Sequence, residues 1–421
     1  MIIFGDDGFR DKINQGLLSK KFLKRFFNSL NYVLFTKKIK TVVIGYDTRK
    51  NNRYILRIIK NCLISVHEIK IINYPLSTPA LQYLCKKNDF GIMITASHFP
   101  HNYNGFKFFL FKKKIQKDFE QLIEKNIDKN KIVKNLKPKI KYITGNKYID
   151  DINKNFRKKI NSKVLIDCGN GAISSFYSKI TFFKNLKIIN KNYKKNKINF
   201  NCGTNFFEKN LKKNFYKKYD FCVSYDGDAD RFLVSKKKYG IIETEKLALI
   251  FVRYYLKKFS INSIVSTVIV NPWLCEILRK YNVKVYKSKV GDRNVLELKE
   301  KKNSIFGFET SGHFCFHDAM DGLYSTGLFL NILNDNPELI DEVLNIDINY
   351  EKLIYAIDER YLKYLQNFKV KQNNNYFKIL IRKSIWNKFY KAYIFYKPKK
   401  ITFVKLERKL NNKIFKKILK N

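Results

Sequence analysis

The chain has 421 residues, 45% of them hydrophobic, and this length predicts several domains with sizeable cores rather than one. The sequence shows no apolar run long enough to span a bilayer, no secretory signal in its first residues and only seven scattered cysteines. This pattern argues against a membrane protein or a secreted protein held by disulfides, and it predicts a soluble protein of the cytoplasm. The formal net charge of +48 would suit a nucleic-acid partner, but the 84 Lys and Arg residues are spread along the whole chain, which favours compositional drift over a dedicated polyanion-binding surface.

Apolar segments rich in β-forming residues recur along the chain, and each ends in a polar turn. They lie at 41–47, 91–97, 164–169, 221–226, 263–270 and 305–309. Helix-length stretches such as 326–333 separate them. Strands that alternate with helices predict α/β domains with mostly parallel sheets, in which functional residues collect at the carboxyl ends of strands. We therefore expect three α/β domains, at 1–146, 147–246 and 247–346, and a smaller α+β domain at 347–421.

The segment at 91–97 ends at Ser97, in a polar loop that continues through His98 and reaches Lys107. A serine at a strand end, followed by histidine, proline and glycine, predicts an exposed nucleophile candidate, although no Gly-x-Ser-x-Gly turn surrounds it. A phosphorylated serine would carry about −1.5 to −2 charges and could itself bind a metal ion. Lys107 is close enough in sequence to act as an acid, a base or a charge neutraliser, but taken alone it is one surface lysine among many.

Three carboxylates at alternate positions follow the apolar strand at 221–226, and they belong to Asp226, Asp228 and Asp230. On a tight turn such acids repel one another and raise each other's pKa values unless a cation lies between them. A hard divalent ion with oxygen ligands satisfies all three, so the segment predicts a metal site. In so basic a chain, a solvated acidic turn is the weaker interpretation. The adjacent Arg231 can pair with a carboxylate or bind a phosphate.

Two later segments offer polar groups for a substrate. Glu309 and Ser311 provide the acceptor and donor that sugar hydroxyls need, whereas His313 taken alone is better explained as a locally bonded histidine. Candidates for a phosphate clamp near the end of the chain are Arg382, Ser384 and Lys391. The positive field of the whole chain would attract small anionic substrates of this kind.

Taken together and in this order, the segments resemble those of the α-D-phosphohexomutase superfamily, most closely its phosphoglucosamine mutase branch. The likeness runs nearly end to end and rests most specifically on the serine loop at 95–107 and the acidic loop at 226–231. Supporting segments lie at 4–10, 45–49, 77–79, 201–204, 290–293, 309–313 and 377–396. The resemblance implies four domains arranged around one active-site cleft.

The resemblance also implies a reaction. Phosphorylated Ser97 donates its phosphoryl group to the sugar, and the other phosphate of the resulting bisphosphate returns to the serine. Glucosamine 6-phosphate and glucosamine 1-phosphate thereby interconvert, for amino-sugar and cell-envelope precursor synthesis. The implied cofactors are Mg²⁺, bound by Ser97 and the three aspartates, and a sugar 1,6-bisphosphate activator. The implied catalytic residues are Ser97, His98, Lys107 and Arg231, and the implied substrate-binding residues are Arg10, Asp292, Arg293, Glu309, Ser311, His313, Arg382, Ser384 and Lys391.

Two alternatives stay open. Tyr103, in the serine loop, resembles the mannose and glucose branch of the superfamily, so a phosphomannomutase or phosphoglucomutase is the nearest alternative. The second is a non-catalytic polyanion-binding protein that has drifted from an enzyme, although the intact acidic loop argues against it. The partner we expect is a phosphorylated hexosamine, without a membrane or a nucleic acid, and the sequence leaves the oligomeric state open.

Overall fold

A computed structural model of the chain describes residues 3–5, 7–129, 131, 133–156, 160–358, 377–383 and 389–397. Its strands form four sheets that follow one another along the chain, with seven, five, four and three strands. Among the described residues, no helix combines the length and the apolar character needed to cross a membrane. The chain is thus an α/β protein built around several sheets.

The first sheet has the strand order β1-β5-β4-β2-β3-β7, with β6 paired to β5. Its strands are β1 (Phe9–Lys12), β2 (Thr41–Tyr46), β3 (Glu68–Ile72), β4 (Asp89–Ile94), β5 (Tyr103–Leu110), β6 (Lys113–Lys114) and β7 (Lys139–Ile143). The pairs among β4, β2, β3 and β7 are parallel, whereas β1, β5 and β6 pair antiparallel. The sheet is therefore mixed rather than mostly parallel. The sequence did not predict this, because an apolar run indicates that a strand is buried but not which way it points.

Helices cover this sheet, and they are α1 (Lys20–Thr36), α2 (Asn52–Cys62), α3 (Thr78–Leu84) and α4 (Lys117–Asn126). In α1, the Ser19 side chain accepts a hydrogen bond from the Phe22 backbone N–H at 3.3 Å and so caps the helix. Apolar residues that recur every three or four positions place Phe22 and Phe26 on one buried face. The ring of Phe26 packs against that of Phe9 in β1, with 4.8 Å between centroids.

The second sheet has the order β12-β11-β10-β8-β9 and the third β14-β13-β15-β16. The strands of the second are β8 (Val164–Asp167), β9 (Lys187–Ile189), β10 (Phe221–Tyr225), β11 (Phe232–Lys236) and β12 (Gly240–Ile241). Those of the third are β13 (Ser263–Thr267), β14 (Lys284–Ser288), β15 (Gly307–Glu309) and β16 (His313–Cys315). Each combines parallel central pairs with an antiparallel edge, as in the first sheet.

The helices that follow are α5 (Asn146–Asn155), α6 (Phe207–Leu211), α7 (Thr244–Leu256), α8 (Pro272–Arg279), α9 (Asp292–Lys301), α10 (Gly322–Asp335) and α11 (Pro337–Leu344). The stretch expected to be helical at 326–333 lies inside α10. Antiparallel strands β17 (Glu351–Asp358), β18 (Phe377–Lys383) and β19 (Phe389–Tyr396) form the last sheet, in the order β17-β19-β18. One continuous hydrophobic core takes buried residues from all four sheets, from Val43 in β2 to Phe395 in β19.

The fold brings three strand ends together. Ser97 follows β4, Asp226 follows β10, and Glu309 ends β15, so each comes from a different sheet. The loops are in direct contact, because Ser97 Oγ donates to Asp226 Oδ2 at 2.7 Å and Arg231 forms a β-bridge with His313. The polar ends of three sheets therefore line one region of the molecule.

Candidate active site

The serine loop presents its hydroxyl to the acidic loop. Ser97 Oγ donates a hydrogen bond to Asp226 Oδ2 at 2.7 Å and lies 3.3 Å from His98 Nδ1. Burial lowers the pKa of His98 to about 2, with Arg231 and Arg10 adding to the effect, so its imidazole is neutral. The expectation of an exposed serine is wrong, since Ser97 is only 1% exposed. Asp226 and the amide of Asn199 pack over it.

The acidic loop holds three buried carboxylates close together. Those of Asp226, Asp228 and Asp230 are at most 2% exposed, and an oxygen from each lies within 4.8 Å of the other two. Gly227 is needed here because a Cβ at this position would lie 2.6 Å from Ser97 O. The turn also holds Ala229 at φ +56°, in the left-handed region. Close backbone approach therefore sets the serine against the carboxylates.

The electrostatics of this loop suit a cation. Burial, with Asp230 and Asp228 as like-charged neighbours, raises the pKa of Asp226 to about 7. Asp228 Oδ1 is buried and has no hydrogen-bond partner among the described residues. An orphaned carboxylate oxygen beside two further carboxylates is the donor set that a hard divalent ion takes up. The residues present thus fit a metal ion of that class.

Lys107, at the centre of the buried strand β5, sits among the same carboxylates. Its ammonium lies 2.8 Å from Asp228 Oδ2, 2.5 Å from Asp230 Oδ2 and 3.0 Å from Asp7 Oδ2. Burial opposes its charge, but the three carboxylates prevail and hold the pKa of Lys107 well above its ordinary value. It is therefore a fixed positive charge, and only 1% of it is exposed.

The aspartates have further partners that the sequence did not single out. The Thr78 hydroxyl, at the start of α3, donates to Asp228 Oδ2. Asp7 contacts both Lys107 and Lys114, and these lysines lower its pKa below the ordinary value although burial acts the other way. A signal for Asp7 was present in the sequence, because it lies in the segment 4–10 that supports the family resemblance.

The loop at 309–313 is joined to the acidic loop through His313. Arg231 Nε donates to His313 Nε2 at 3.0 Å, and the two residues form an isolated β-bridge. His313 Nδ1 lies 2.9 Å from Ser311 Oγ and 3.3 Å from Glu309 Oε2. Glu309 also accepts from the backbone N–H of Gly291 at 2.8 Å. His313 is 5% exposed, and its buried imidazole contacts Arg231 of the acidic loop as well as Ser311 and Glu309 of its own loop.

Other expected substrate-binding residues lie in ion pairs at the contact between the first and third sheets. Asp292 contacts the Lys114 ammonium, and Arg293 contacts Glu120 of α4. Arg10 lies 3.4 Å from Asp7, with its guanidinium 5.5 Å from the centre of the Phe99 ring. The structure thus gives Asp292 and Arg293 partners within the protein, and their contact with a substrate stays a prediction.

The expected phosphate clamp is described only in part. The backbones of Arg382 in β18 and Lys391 in β19 are register partners in the last sheet. Their side chains, and the whole of Ser384, lie outside the described residues. Their role in binding phosphate stays a prediction. The structure therefore joins Ser97, His98, Lys107 and Arg231 with the three aspartates and the 309–313 loop.

Comparisons with known proteins bear on this site. Family models described as "Phosphoglucomutase/phosphomannomutase, alpha/beta/alpha domain I" and "domain III" match residues 1–134 and 243–349. A phosphoglucosamine mutase of Nautilia profundicola is 34% identical over an alignment of 349 residues, and the match covers 77% of this chain and 78% of that protein. One of Dictyoglomus thermophilum is 32% identical over 397 residues, which cover 85% and 83%.

Solved structures show the same fold. A phosphoglucomutase/phosphomannomutase family protein from Burkholderia thailandensis superposes with a TM-score of 0.81 at 18% identity, over 99% of this chain and 97% of the other. The N-acetylphosphoglucosamine mutase of Aspergillus fumigatus, in complex with GlcNAc-6P and magnesium, gives 0.64 at 13% identity, over 99% and 95%. At these identities the likeness concerns the fold alone.

Proposed function

Because the chain belongs to the phosphoglucosamine mutase family of the α-D-phosphohexomutases and is thus a mutase, we propose that it interconverts glucosamine 6-phosphate and glucosamine 1-phosphate through phosphorylated Ser97. The observation that carries the proposal is the hydrogen bond from Ser97 Oγ to Asp226 Oδ2 at 2.7 Å. It places a hydroxyl at the edge of a three-carboxylate cluster, where a phosphoryl group on the oxygen would meet a bound cation.

We propose Mg²⁺ as that cation, held by Asp226, Asp228, Asp230 and a phosphoserine oxygen. Three carboxylates and a phosphate oxygen are the hard ligands that Mg²⁺ takes, and the orphaned Asp228 Oδ1 supports its place. When bound, Mg²⁺ neutralises the charge on the phosphoryl oxygens during in-line transfer. The Thr78 hydroxyl, by donating to Asp228, orients this carboxylate in advance.

The protein's own groups supply the other positive charges. In the forward half-reaction the bond from phosphorus to Ser97 Oγ breaks as a bond from phosphorus to a sugar oxygen forms, and the proton of the sugar hydroxyl passes to Ser97 Oγ. In the return half-reaction the bond from the other phosphorus to its sugar oxygen breaks as a bond to Ser97 Oγ forms, and the serine proton passes to that sugar oxygen. Lys107 and Arg231 are charged in the structure and would stabilise the oxygens of the transferring group rather than accept a proton. His98, being neutral, can donate or accept a hydrogen bond beside Ser97.

We assign the sugar to the loop at 309–313. Glu309 is buried, and His313 beside it, together with the Gly291 N–H, lowers its pKa although burial opposes this, so it is a fixed acceptor for sugar hydroxyls. Ser311 is held 2.9 Å from His313 Nδ1. We further propose that Asp292 and Arg293 bind the substrate and that Arg382, Ser384 and Lys391 bind the non-reacting phosphate. All seven cysteines are unpaired, which supports the cytoplasmic location that we propose.

The substrate preference tests this proposal against its nearest alternative. Initial rates with glucosamine 6-phosphate, glucose 6-phosphate and mannose 6-phosphate should be compared at equal Mg²⁺ and sugar 1,6-bisphosphate, with Ser97→Ala as the inactive control. We expect the highest kcat/KM for the 2-amino sugar. Equal or higher values for the 2-hydroxy sugars would favour a phosphomannomutase or phosphoglucomutase instead, in line with Tyr103 in the serine loop.

A further inference from the structure

We propose that Arg49 and Asn199 are positioning residues that hold the loop of Ser97 from two sides, so that its hydroxyl stays on Asp226. The inference rests on the proposed role of Ser97 as phosphoryl carrier. Neither residue contacts the reacting hydroxyl in the structure, and each acts on the main chain of the loop. Arg49 is 2% and Asn199 5% exposed, so both are shielded from water.

The serine loop needs such support because its backbone is strained. Ser97 has φ +50°, in the left-handed region that residues with a Cβ seldom adopt. Conformations of this kind persist only where the surroundings hold them, and they concentrate at functional sites. Within the loop itself, Ser97 N donates to Thr95 Oγ1 at 2.9 Å. The carbonyl groups of Ser97 and Phe99 take their hydrogen bonds from other segments of the chain.

Arg49 holds the loop from the side of the first sheet. Its Nη2 donates to the carbonyls of Ser97 and Phe99 at 3.0 and 2.9 Å. Its Nη1 donates to those of Pro100 and Tyr103 at 2.5 and 2.7 Å. The guanidinium is itself anchored, because Nε donates to Asp47 Oδ2 at 3.0 Å. One planar side chain therefore spans four carbonyls of the loop, which suits arginine and no other residue.

Asn199 holds the same loop from the side of the second sheet. Its amide nitrogen donates to the carbonyls of Ser97 and Phe99 at 2.7 and 3.0 Å. A carbonyl accepts two hydrogen bonds, so these two carbonyls are each satisfied by one bond from Arg49 and one from Asn199. Asn199 lies between β9 and β10, and Asp226 directly follows β10. It therefore ties the nucleophile to the sheet that carries the carboxylates.

The test separates positioning from binding. Arg49→Lys keeps the charge beside Asp47 but removes the fork, and Asn199→Ala removes the amide. Because a displacement of about 1 Å can lower a rate about 100-fold, we expect kcat to fall by about 10- to 100-fold in each variant, with KM within about threefold. The rate at which Ser97 takes phosphate from glucosamine 1,6-bisphosphate, followed by intact mass, should fall in parallel. Mn²⁺ affinity should stay within about twofold, since the carboxylates are unchanged.

Matched variants far from the site control for the chemistry of the substitutions. Arg253→Lys changes an arginine that bonds Glu342 at 2.6 Å, and Asn153→Ala an asparagine that bonds the Lys179 carbonyl at 2.8 Å. Both should keep the parental kcat. The double variant of Arg49 and Asn199 should lose more than the product of the single losses, because two carbonyls then lose both donors.

Parental kcat and phosphorylation rate in the folded single variants would overturn the proposal. A loss of metal affinity as large as the loss of kcat would also overturn it, because it would show a general disruption of the site. Amide hydrogen exchange of residues 95–103 tests the positioning role independently of enzyme activity. If the two side chains hold the loop, both variants should show faster exchange in these residues than the parent. If the parent protein itself proves inactive, the proposed function fails, whereas unchanged exchange in this loop defeats the positioning role alone.

Discussion

Replacing Lys107 with methionine tests the electrostatics of the site. The substitution keeps most of the side chain's volume in β5 but removes a charge that lies 2.8 Å from Asp228 and 2.5 Å from Asp230. Breaking a buried ion pair costs about 3–5 kcal/mol, because the remaining charge is left uncompensated. We therefore expect the metal-free variant to lose about 3 kcal/mol or more of its free energy of unfolding.

Mg²⁺ should restore much of this loss. A divalent ion between the same carboxylates replaces the missing charge, and a ligand at 100 times its Kd adds about 2.7 kcal/mol of stability. Urea unfolding followed by far-UV circular dichroism, with and without Mg²⁺, measures both effects. Catalytic turnover should nonetheless stay at least about 100-fold below that of the parent, since the ion does not stand in for the ammonium at the transferring group.

Lys246→Met is the matched control. Lys246 is also buried, at 4% exposed, but its ammonium donates to the Leu344 carbonyl at 2.7 Å, away from the three aspartates. Its loss should destabilise the protein by about 1–3 kcal/mol. Mg²⁺ should stabilise this variant no more than it stabilises the parent, because both keep the same metal site and the same Lys107 charge within it. Two results would refute the role of Lys107: Lys107→Met unfolding at the parental urea concentration without metal, or Mg²⁺ stabilising both lysine variants equally.

Three further predictions concern metal and sugar binding. Because the pKa of Asp226 is raised to about 7, this carboxyl group must lose its proton before a cation binds. The Mg²⁺ affinity measured by calorimetry should therefore rise with pH up to about 7 and level off by about 8. An affinity that does not change with pH would contradict this. Thr78→Val removes the hydroxyl that orients Asp228 and should weaken Mg²⁺ binding about 10- to 100-fold; an unchanged Kd would show that the hydroxyl does not act on the metal site. Glu309→Gln should raise KM for the sugar phosphate about tenfold with a smaller change in kcat, and a fall in kcat alone would place Glu309 in the chemical step instead.

The strand-end pattern located much of the candidate site. Polar loops after apolar strands pointed to Ser97, Asp226 and Glu309, and the structure brings the three loops into contact. These loops could be predicted as functional because the carboxyl ends of parallel central strands lie at one edge of a sheet, where binding sites form. The directions of β5, β11 and β16 were not readable, since an antiparallel strand between buried neighbours is as apolar as a parallel one.

The sequence did not predict the partners of these site residues, because the partners lie far away along the chain. Asn199 contacts a carbonyl 102 residues away and Thr78 a carboxylate 150 residues away, and no local pattern records such contacts. The high lysine content also hid Lys114 among 84 basic residues, and without the resemblance Lys107 would have passed for a surface lysine. A usable signal was present for Lys107, because it is flanked by Phe106 and Phe108 in an apolar run, where a solvated lysine is out of place.

The burial of Ser97 has the same origin. A strand end followed by a turn with proline predicts an exposed loop, but here the acidic loop of the second sheet and the Asn199 segment close over it. The division into four domains at 146, 246 and 346 stays a prediction. Each of the four sheets lies inside one of the expected ranges, yet one hydrophobic core runs through all of them, so apolar periodicity alone does not show where one unit ends.

The most direct test of the account is the phosphorylation of Ser97. The purified protein and Ser97→Ala should be incubated with Mg²⁺ and glucosamine 1,6-bisphosphate, then examined by intact-mass and peptide mass spectrometry alongside a mutase assay. We expect one phosphate on Ser97 in the parent, none in the variant, and a loss of turnover of at least about 1,000-fold. A variant that interconverts hexosamine phosphates as fast as the parent, or a parent that carries its phosphate only elsewhere, would contradict it.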